Sequence, residues 1–499
     1  MLSNSPAKNI VDPYIIFPLR FLRFSHEELL LTNESGEYSF IKTSDFDNLI
    51  NYKLTANSST FLNLKGKHFI TDTDIEPIID MLAVKYRSKK AFLKNFTALH
   101  MVVITARCNS RCIYCHASSE SVDKNRWDMS LSTAKNVVDI IFQTPSPSIK
   151  IEFQGGEALL NWDAIQTVIE CAEATNIEKR KQLEFVLCTN LTTVTEDILK
   201  YLKDHNVYIS TSLDGPQDLH DQNRILRLGG STHDLFCEKL KLTKEILGMD
   251  KVSALMTTSI HSLPRLKEII DEYIDHGFQG IFLRPLNPFG FAKTDRKEIG
   301  YDINEYFEAY KNAFSYIIEL NLNGKFFEEY YAALLLTRIL TPFSTGFMDL
   351  QFPSGVGIAG AIYDYDGGVY PSDEARMLAK AGDKKFLLGN VNKDNYLDIF
   401  DCSLLHEILN KSCAEVLPLC ESCAFQMYCG SDPIRNYSEQ RDIVGHRPTS
   451  EFCKMNMKII KHLFEFLKEN DNSVMNVFWS WITKRPLVET RSDTVSRDC

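Results

Sequence analysis

Thirteen cysteines in 499 residues are many for a chain kept in a reducing compartment, where clustered thiols more often bind metal or do chemistry than form disulfides. Cys108, Cys112 and Cys115 fall close together, with Tyr114 directly before the last. Three thiolates on one short loop can ligate three irons of a [4Fe-4S] cluster and leave the fourth iron open to a small molecule. A structural zinc loop is the competing use, but it wants four protein ligands and no fourth cysteine lies nearby. A second group, Cys420, Cys423, Cys429 and Cys453, supplies four thiolates, enough to close a site completely. Iron and zinc are both open to it. Cys171, Cys188, Cys237, Cys402 and Cys413 have no such company and read as core thiols, with Cys499 at a frayed terminus.

The first group follows a strand, and the pattern around it is that of an α/β protein. Short apolar runs at 100–105, 149–153, 183–189, 207–213, 252–258 and 280–286 are separated by segments with helical apolar spacing at 132–142, 162–174, 195–205 and 263–276. Such alternation implies a parallel sheet covered on both faces, with right-handed crossovers. Six units fit an open or partial (β/α)6 barrel over 99–320, with a doubly wound sheet as the alternative. Barrels of this kind build their sites at the C-terminal strand ends. Polar clusters stand at those ends: Gln154, Gly155, Gly156 and Glu157 after the second strand, Thr189 and Asn190 after the third, and Ser210, Ser212 and Asp214 after the fourth.

Residues 1–98 read as a small α+β, winged-helix-like module. Strands are expected at 17–24, 28–31 and 38–41, then helices at 44–50 and from a cap at Asp72 or Thr73 to Tyr86. Small winged modules can take up a peptide by strand addition, so this one is a candidate peptide-recognition module. A cysteine-bearing region spans 321–460, and a C-terminal helix and tail occupy 461–499. The run Gly355-Val356-Gly357-Ile358-Ala359-Gly360 matches a dinucleotide fingerprint, but no amphipathic helix follows it and a hairpin is expected at 363–370. A net charge of −11 argues against nucleic acid as the main partner. No apolar run approaches the roughly 20 residues of a membrane span, and the start lacks a secretory pattern, so a cytoplasmic protein is expected.

The Cys108/Cys112/Cys115 spacing with its strand-end partners resembles the radical S-adenosylmethionine (SAM) superfamily. That resemblance implies a [4Fe-4S] cluster with one open iron, held by those three cysteines and chelated by SAM. It also implies SAM contacts from Tyr114, Gln154, Gly155, Gly156, Glu157, Thr189, Asn190, Ser210, Ser212 and Asp214, with Glu157 receiving the methionyl ammonium. The second cysteine group resembles the SPASM extension of peptide-modifying members. Where that extension has Tyr-Pro-Cys this chain has Tyr370-Pro371-Ser372, and the remaining cysteines match only its second cluster. One auxiliary [4Fe-4S] cluster on Cys420, Cys423, Cys429 and Cys453 is therefore implied, with zinc as the alternative metal.

Runs at 99–101, 151–156, 210–216, 253–258, 281–292 and 373–379 look like the B-type radical SAM maturase of the His-Xaa-Ser peptide system. This implies a ribosomally made precursor peptide with a leader as substrate and a second radical SAM maturase as partner, with a flavodoxin- or ferredoxin-like protein as reductant. A sulfatase-activating type of enzyme, acting on a protein Ser or Cys or on a small molecule, is the alternative. In those relatives the acid after the missing cysteine serves as a base, which makes Asp373 the candidate catalytic residue. The competing use of Asp373 and Glu374 is an ion pair with Arg376.

Overall fold

The structure is a computed structural model that describes residues 13–120 and 124–487. Contacts divide it into two compact units. Of the described residues, the smaller comprises 13–91, 337–345 and 414–429, and the larger comprises 92–120, 124–336, 346–413 and 430–487.

In the smaller unit, strands β1 (Leu19–Arg23), β2 (Glu28–Asn33) and β3 (Tyr38–Lys42) form an antiparallel sheet in the order β1-β2-β3. Leu29, Leu31 and Ile41 enter a core with Leu49, Phe61 and Phe69. Helices run over Thr43–Ile50, Ser59–Gly66 and Glu76–Lys89. The second of these is absent from the sequence expectation, although Ser58 caps it by accepting from the Phe61 N–H at 3.2 Å. The third starts at Glu76 rather than at 72 or 73, because Pro77 favours the first turn of a helix, where no N–H donor is needed. The 414–429 segment is stitched into this unit. Thr32 Oγ1 donates to the Ala424 carbonyl at 2.8 Å, and the Tyr428 hydroxyl donates to the Gly36 carbonyl at 3.1 Å.

The larger unit is built on an eight-stranded sheet. Its strands are β4 (Leu99–Thr105), β5 (Ser148–Gly155), β6 (Gln182–Cys188), β7 (Tyr208–Ser212), β8 (Val252–Leu255), β9 (Gly360–Tyr363), β10 (Gly368–Tyr370) and β11 (Gly389–Asn390). Their order is β8-β7-β6-β5-β4-β9-β10-β11, parallel from β8 through β9 and antiparallel beyond. Strand β4 is buried at every position after Leu99, as expected for a central parallel strand covered on both faces. The crossover helices Leu131–Ile141, Glu196–Asp204 and Thr232–Leu247 begin at the caps Ser130, Thr195 and Ser231. This is an α/β fold built on a mostly parallel sheet.

The sixth expected strand differs. Only Gly280–Ile281 form a ladder, and they pair with Glu328–Glu329 in a separate two-stranded sheet. A Cβ at Gly280 would lie 2.7 Å from the Tyr330 ring, so bare backbone permits the approach. Beyond Ile281 the Leu283 N–H donates to the Glu329 carboxylate at 3.2 Å and Pro285 has no N–H, which ends the ladder. The Gly355–Gly360 run is a tight turn with Gly357 at φ +77°, and it feeds β9 alongside β4 instead of opening a nucleotide-binding helix. The C-terminal region contains helices Glu451–Glu469 and Asn472–Thr483, while Cys499 lies outside the described residues. Among the described residues, no helix is long and apolar enough to cross a membrane.

Candidate functional site

The loop carrying Cys108, Cys112 and Cys115 leaves the C-terminal end of β4 and is clamped on three sides. On the first, the strand register shifts between Val103 and Thr105, opposite Gln154 and Gly155. The Gly156 N–H donates to the Thr105 carbonyl at 2.9 Å and the Glu157 N–H to the Arg107 carbonyl at 2.7 Å. A Cβ at Gly156 would sit 2.2 Å from the Arg107 oxygen, so only glycine allows this contact. On the second side, Ser110–Cys112 pair antiparallel with Arg224–Leu226, and Arg227 Nε donates to the Cys108 carbonyl at 3.0 Å. On the third, Gly290 at φ +56° lets the Phe291 N–H reach the Cys115 carbonyl at 3.0 Å.

This framework brings the three thiols close enough to repel one another as thiolates. Burial pushes the Cys108 thiol up, with Glu157, Cys112 and Cys115 adding to it. Cys112 is pushed up to about 12 by burial, an effect that Arg224 opposes and that Cys115 and Asp214 reinforce. Three mutually repelling thiolates, fixed in a preformed loop, fit a cationic iron cluster, which supplies the missing positive charge.

The strand-end residues form two braces around this loop. Glu157, fully buried, accepts from Thr189 Oγ1 at 2.7 Å, from the Asn190 N–H at 2.8 Å and from the Leu159 N–H at 3.2 Å. The carboxylate that the resemblance assigns to the methionyl ammonium is thus turned toward the chain's own donors. Asn190 Nδ2 donates to Asn109 Oδ1 at 2.9 Å, tying the end of β6 to the cysteine loop. In the second brace, buried Asp214 receives the Tyr114 hydroxyl and pairs with Arg224 at 3.1 Å. The Arg224 guanidinium also lies 5.5 Å from the Tyr114 ring centre. Ser210 and Ser212 point to one face of β7, half-buried, and Gln154 donates to Glu152 at 2.6 Å. Arg224 had no sequence signal, because it lies far along the chain from the cysteines it supports.

Asp373 sits elsewhere in the larger unit, in a group of acids and bases that the sequence did not bring together. Ser372, in place of the family's cysteine, caps helix Asp373–Lys380 by accepting from the Ala375 N–H at 3.3 Å. Arg376 pairs with Asp364 at 3.2 Å, so its ion pair is not with Asp373 or Glu374. Asp373 instead neighbours Glu374, and burial together with that neighbour's charge raises Asp373 well above the usual carboxyl range. Glu374 is held lower, chiefly by Asp373 acting against burial. Asn287 Nδ2 donates to Glu374 at 3.3 Å and Arg435 donates to Asn287 Oδ1 at 2.8 Å. The Asn287 N–H donates to His116 Nε2 at 3.3 Å, which links this group to the residue after Cys115. Burial and nearby arginines lower His116 to about 3, so it is a neutral acceptor. An adjoining cavity is lined by Arg284, Asp349, Glu374, Arg435, Phe282 and Tyr331. Burial, Glu374 and Asp432 raise Asp349 to about 7.

The second cysteine group is split between the units. In the smaller, the Cys423 N–H donates to the Cys420 carbonyl at 3.1 Å and the Cys429 N–H to the Phe425 carbonyl at 3.0 Å. Arg338 gathers the carbonyls of Met427 at 3.0 Å and Tyr428 at 3.1 Å just before Cys429. In the larger unit, Cys453 lies in the first turn of helix Glu451–Glu469, its N–H on the capping Ser450 Oγ at 3.3 Å.

Residues 102–259 match the profile of the Radical SAM superfamily. An uncharacterized protein of Methanocaldococcus jannaschii is 30% identical over 192 residues, which are 38% of this chain and 63% of that one. A cysteine-type anaerobic sulfatase-maturating enzyme of Clostridium perfringens is 23% identical over 378 residues, 74% of this chain and 96% of the relative. Among solved structures, the sulfatase-maturating enzyme anSMEcpe with bound AdoMet aligns at a TM-score of 0.63 and 20% identity, covering 76% of this chain and all of that one. Streptococcus suis SuiB bound to its precursor peptide SuiA aligns at 0.51 and 13% identity, over 88% of this chain and 99% of SuiB.

Proposed function

We propose that this chain, a radical SAM enzyme, modifies a ribosomally made precursor peptide of the His-Xaa-Ser repeat type. Cys108, Cys112 and Cys115 would hold a [4Fe-4S] cluster that, with SAM, would supply a 5′-deoxyadenosyl radical for hydrogen-atom abstraction from the substrate. The chain's own residues hold the cysteine loop rigid, through Gly156 on one side and the Arg224–Asp214–Tyr114 brace on another. Loss of a hydrogen atom and then one electron leaves a proton on the peptide, and the Asp373/Glu374 pair is the group that receives it. Cys420, Cys423, Cys429 and Cys453 would hold an auxiliary [4Fe-4S] cluster, which would take up that electron. Electrons come from a flavodoxin- or ferredoxin-like donor, and a second radical SAM maturase acts on the same peptide.

The observation that carries the peptide reading is the open edge of the β1-β2-β3 sheet. Strand β1 pairs only with β2 among the described residues, and Phe21 on it is 52% exposed. On the opposite edge, Asn63 donates to Ser39 Oγ at 2.8 Å and Lys67 to the Tyr38 carbonyl at 2.8 Å, so helix-side residues already use β3. An extended leader can add beside β1 through backbone hydrogen bonds. A precursor-bound enzyme whose fold aligns with 88% of the chain supports this reading.

A second reading, modification of a sulfatase Cys or Ser, is favoured by the alignment across 96% of a sulfatase-maturating enzyme. Hydrogen exchange with each peptide separates the two. Added leader is expected to slow exchange at residues 19–23 at least about tenfold. Protection by a sulfatase-site peptide, with none from the leader, would favour the second reading.

A further inference from the structure

Two helices of the larger unit bring three metal-binding side chains together, with a fourth, Glu272, beside two of them. His233 and Cys237 lie four residues apart on helix Thr232–Leu247. Glu272 and His276 lie four apart at the end of helix Leu266–Asp275. Each pair therefore shares a helix face. The ligand atoms of His233, Cys237 and His276 all fall within 4.8 Å of one another.

The sulfur–nitrogen distances are those of a metal site. Cys237 Sγ is 3.8 Å from His233 Nε2 and 3.6 Å from His276 Nε2. Zinc–sulfur and zinc–nitrogen bonds of about 2.3 and 2.05 Å at the tetrahedral angle give a sulfur–nitrogen edge of about 3.6 Å. Glu272 Oε1 lies 2.8 Å from His233 Nε2 and 3.0 Å from His276 Nε2, placed to turn in as a fourth ligand. Those two are hydrogen-bond lengths, and a metal opens such an edge to about 3.4 Å. The His233, Glu272 and His276 side chains are 12%, 20% and 21% exposed, which leaves an entry path for an ion.

We infer that Cys237, His233, His276 and Glu272 bind one Zn(II) ion in a site separate from the iron–sulfur chemistry. One thiolate, two imidazoles and one carboxylate suit zinc, whereas magnesium and calcium take oxygen ligands. Binding exchanges the thiol proton and the Glu272 hydrogen bonds for metal bonds, with no change of oxidation state. The ion would lock the segment that grips the cysteine loop. The His233 N–H donates to Asp221 Oδ1 at 2.8 Å, and its ring lies 5.6 Å from that of His220, whose Nδ1 accepts from the Asp214 N–H at 3.3 Å. From Asn223 the chain runs directly into Arg224–Leu226, the partners of Ser110–Cys112.

The test uses anaerobically purified holoenzyme with its clusters assembled, given one equivalent of zinc and desalted. About one retained zinc per chain is expected, with one sulfur and three nitrogen or oxygen neighbours by zinc K-edge absorption. Cys237→Ser/His276→Gln should lose that zinc with its iron content unchanged. Should the double variant fold poorly, Glu272→Gln, which keeps the size of the side chain, should weaken zinc binding about tenfold or more. No retained zinc in the wild type, zinc surrounded by four sulfurs, or unchanged zinc binding by the variants would each overturn the assignment.

Discussion

Asp373 and Glu374 stand side by side in the first turn of helix Asp373–Lys380, and that proximity drives their proton affinities in opposite directions. Asp373 is raised well above the ordinary range by burial and by Glu374, while Glu374, despite its own burial, is lowered by its neighbours, Asp373 foremost. The pair thus keeps one proton to higher pH than a free aspartate would. As pH climbs through the raised Asp373 value the pair loses that proton and gains capacity to accept one from substrate. Product formation should therefore rise with pH over that range. Asp373→Asn should slow it by about 10² or more and flatten the rise, with SAM binding and iron content retained. A variant with the wild-type rate and pH profile would remove Asp373 from the chemistry.

Gly156 tests the preformed cysteine loop. An alanine Cβ would lie 2.2 Å from the Arg107 carbonyl oxygen and 2.8 Å from that of Ala106, both backbone atoms that move only with the loop. Gly156→Ala should destabilise the fold by about 1–3 kcal/mol. It should also impair loading of the first cluster, lowering iron from about eight per chain, two cubane clusters, toward about four. Unaltered iron in a folded variant would mean that the loop tolerates the displacement.

A buried carboxylate predicts how stability depends on pH. Glu329, fully buried, accepts from the Tyr310 hydroxyl at 2.8 Å, the Ala332 N–H at 2.7 Å and the Leu283 N–H at 3.2 Å. Burial nonetheless raises it to about 7 from an ordinary 4.5, because the bonds offset only part of the desolvation. Its folded value lies above its unfolded one, so its stabilising contribution is complete below pH 4.5 and is lost as pH rises through 7. The stability of the wild type relative to Glu329→Gln should thus fall by about 3 kcal/mol between pH 4 and pH 8. Urea midpoints of the two proteins across that range measure it, and a constant difference would contradict it.

How far the sequence reveals this site depends on how local each part is. The cysteine loop and β4 to β8 are readable because spacing and apolar periodicity lie within short windows. Gly155 and Gly156 are readable for the same reason. Arg224, Asn287, Asp349 and Arg435 are not, since each reaches the site by tertiary contact and is surrounded by ordinary loop sequence. The short sixth strand escapes for another reason. The apolar run 280–286 looks like a strand, and only the neighbouring Glu329 carboxylate and Pro285 end its ladder at Ile281. The place of 414–429 beside the N-terminal strands likewise rests on single bonds such as Thr32 to Ala424, which no periodicity announces.

The central claim, hydrogen abstraction from a precursor peptide by this chain's SAM site, is tested most directly by following the hydrogen itself. A deuterated His-Xaa-Ser precursor is incubated anaerobically with enzyme, SAM and a reductant, and the 5′-deoxyadenosine is analysed by mass spectrometry. Deuterium is expected in the 5′-deoxyadenosine, with loss of two hydrogens from the peptide per modification, and neither with Cys108→Ala/Cys112→Ala/Cys115→Ala. SAM cleavage that yields only unlabelled 5′-deoxyadenosine and unchanged peptide, while a deuterated sulfatase-site peptide transfers its label, would contradict the peptide assignment.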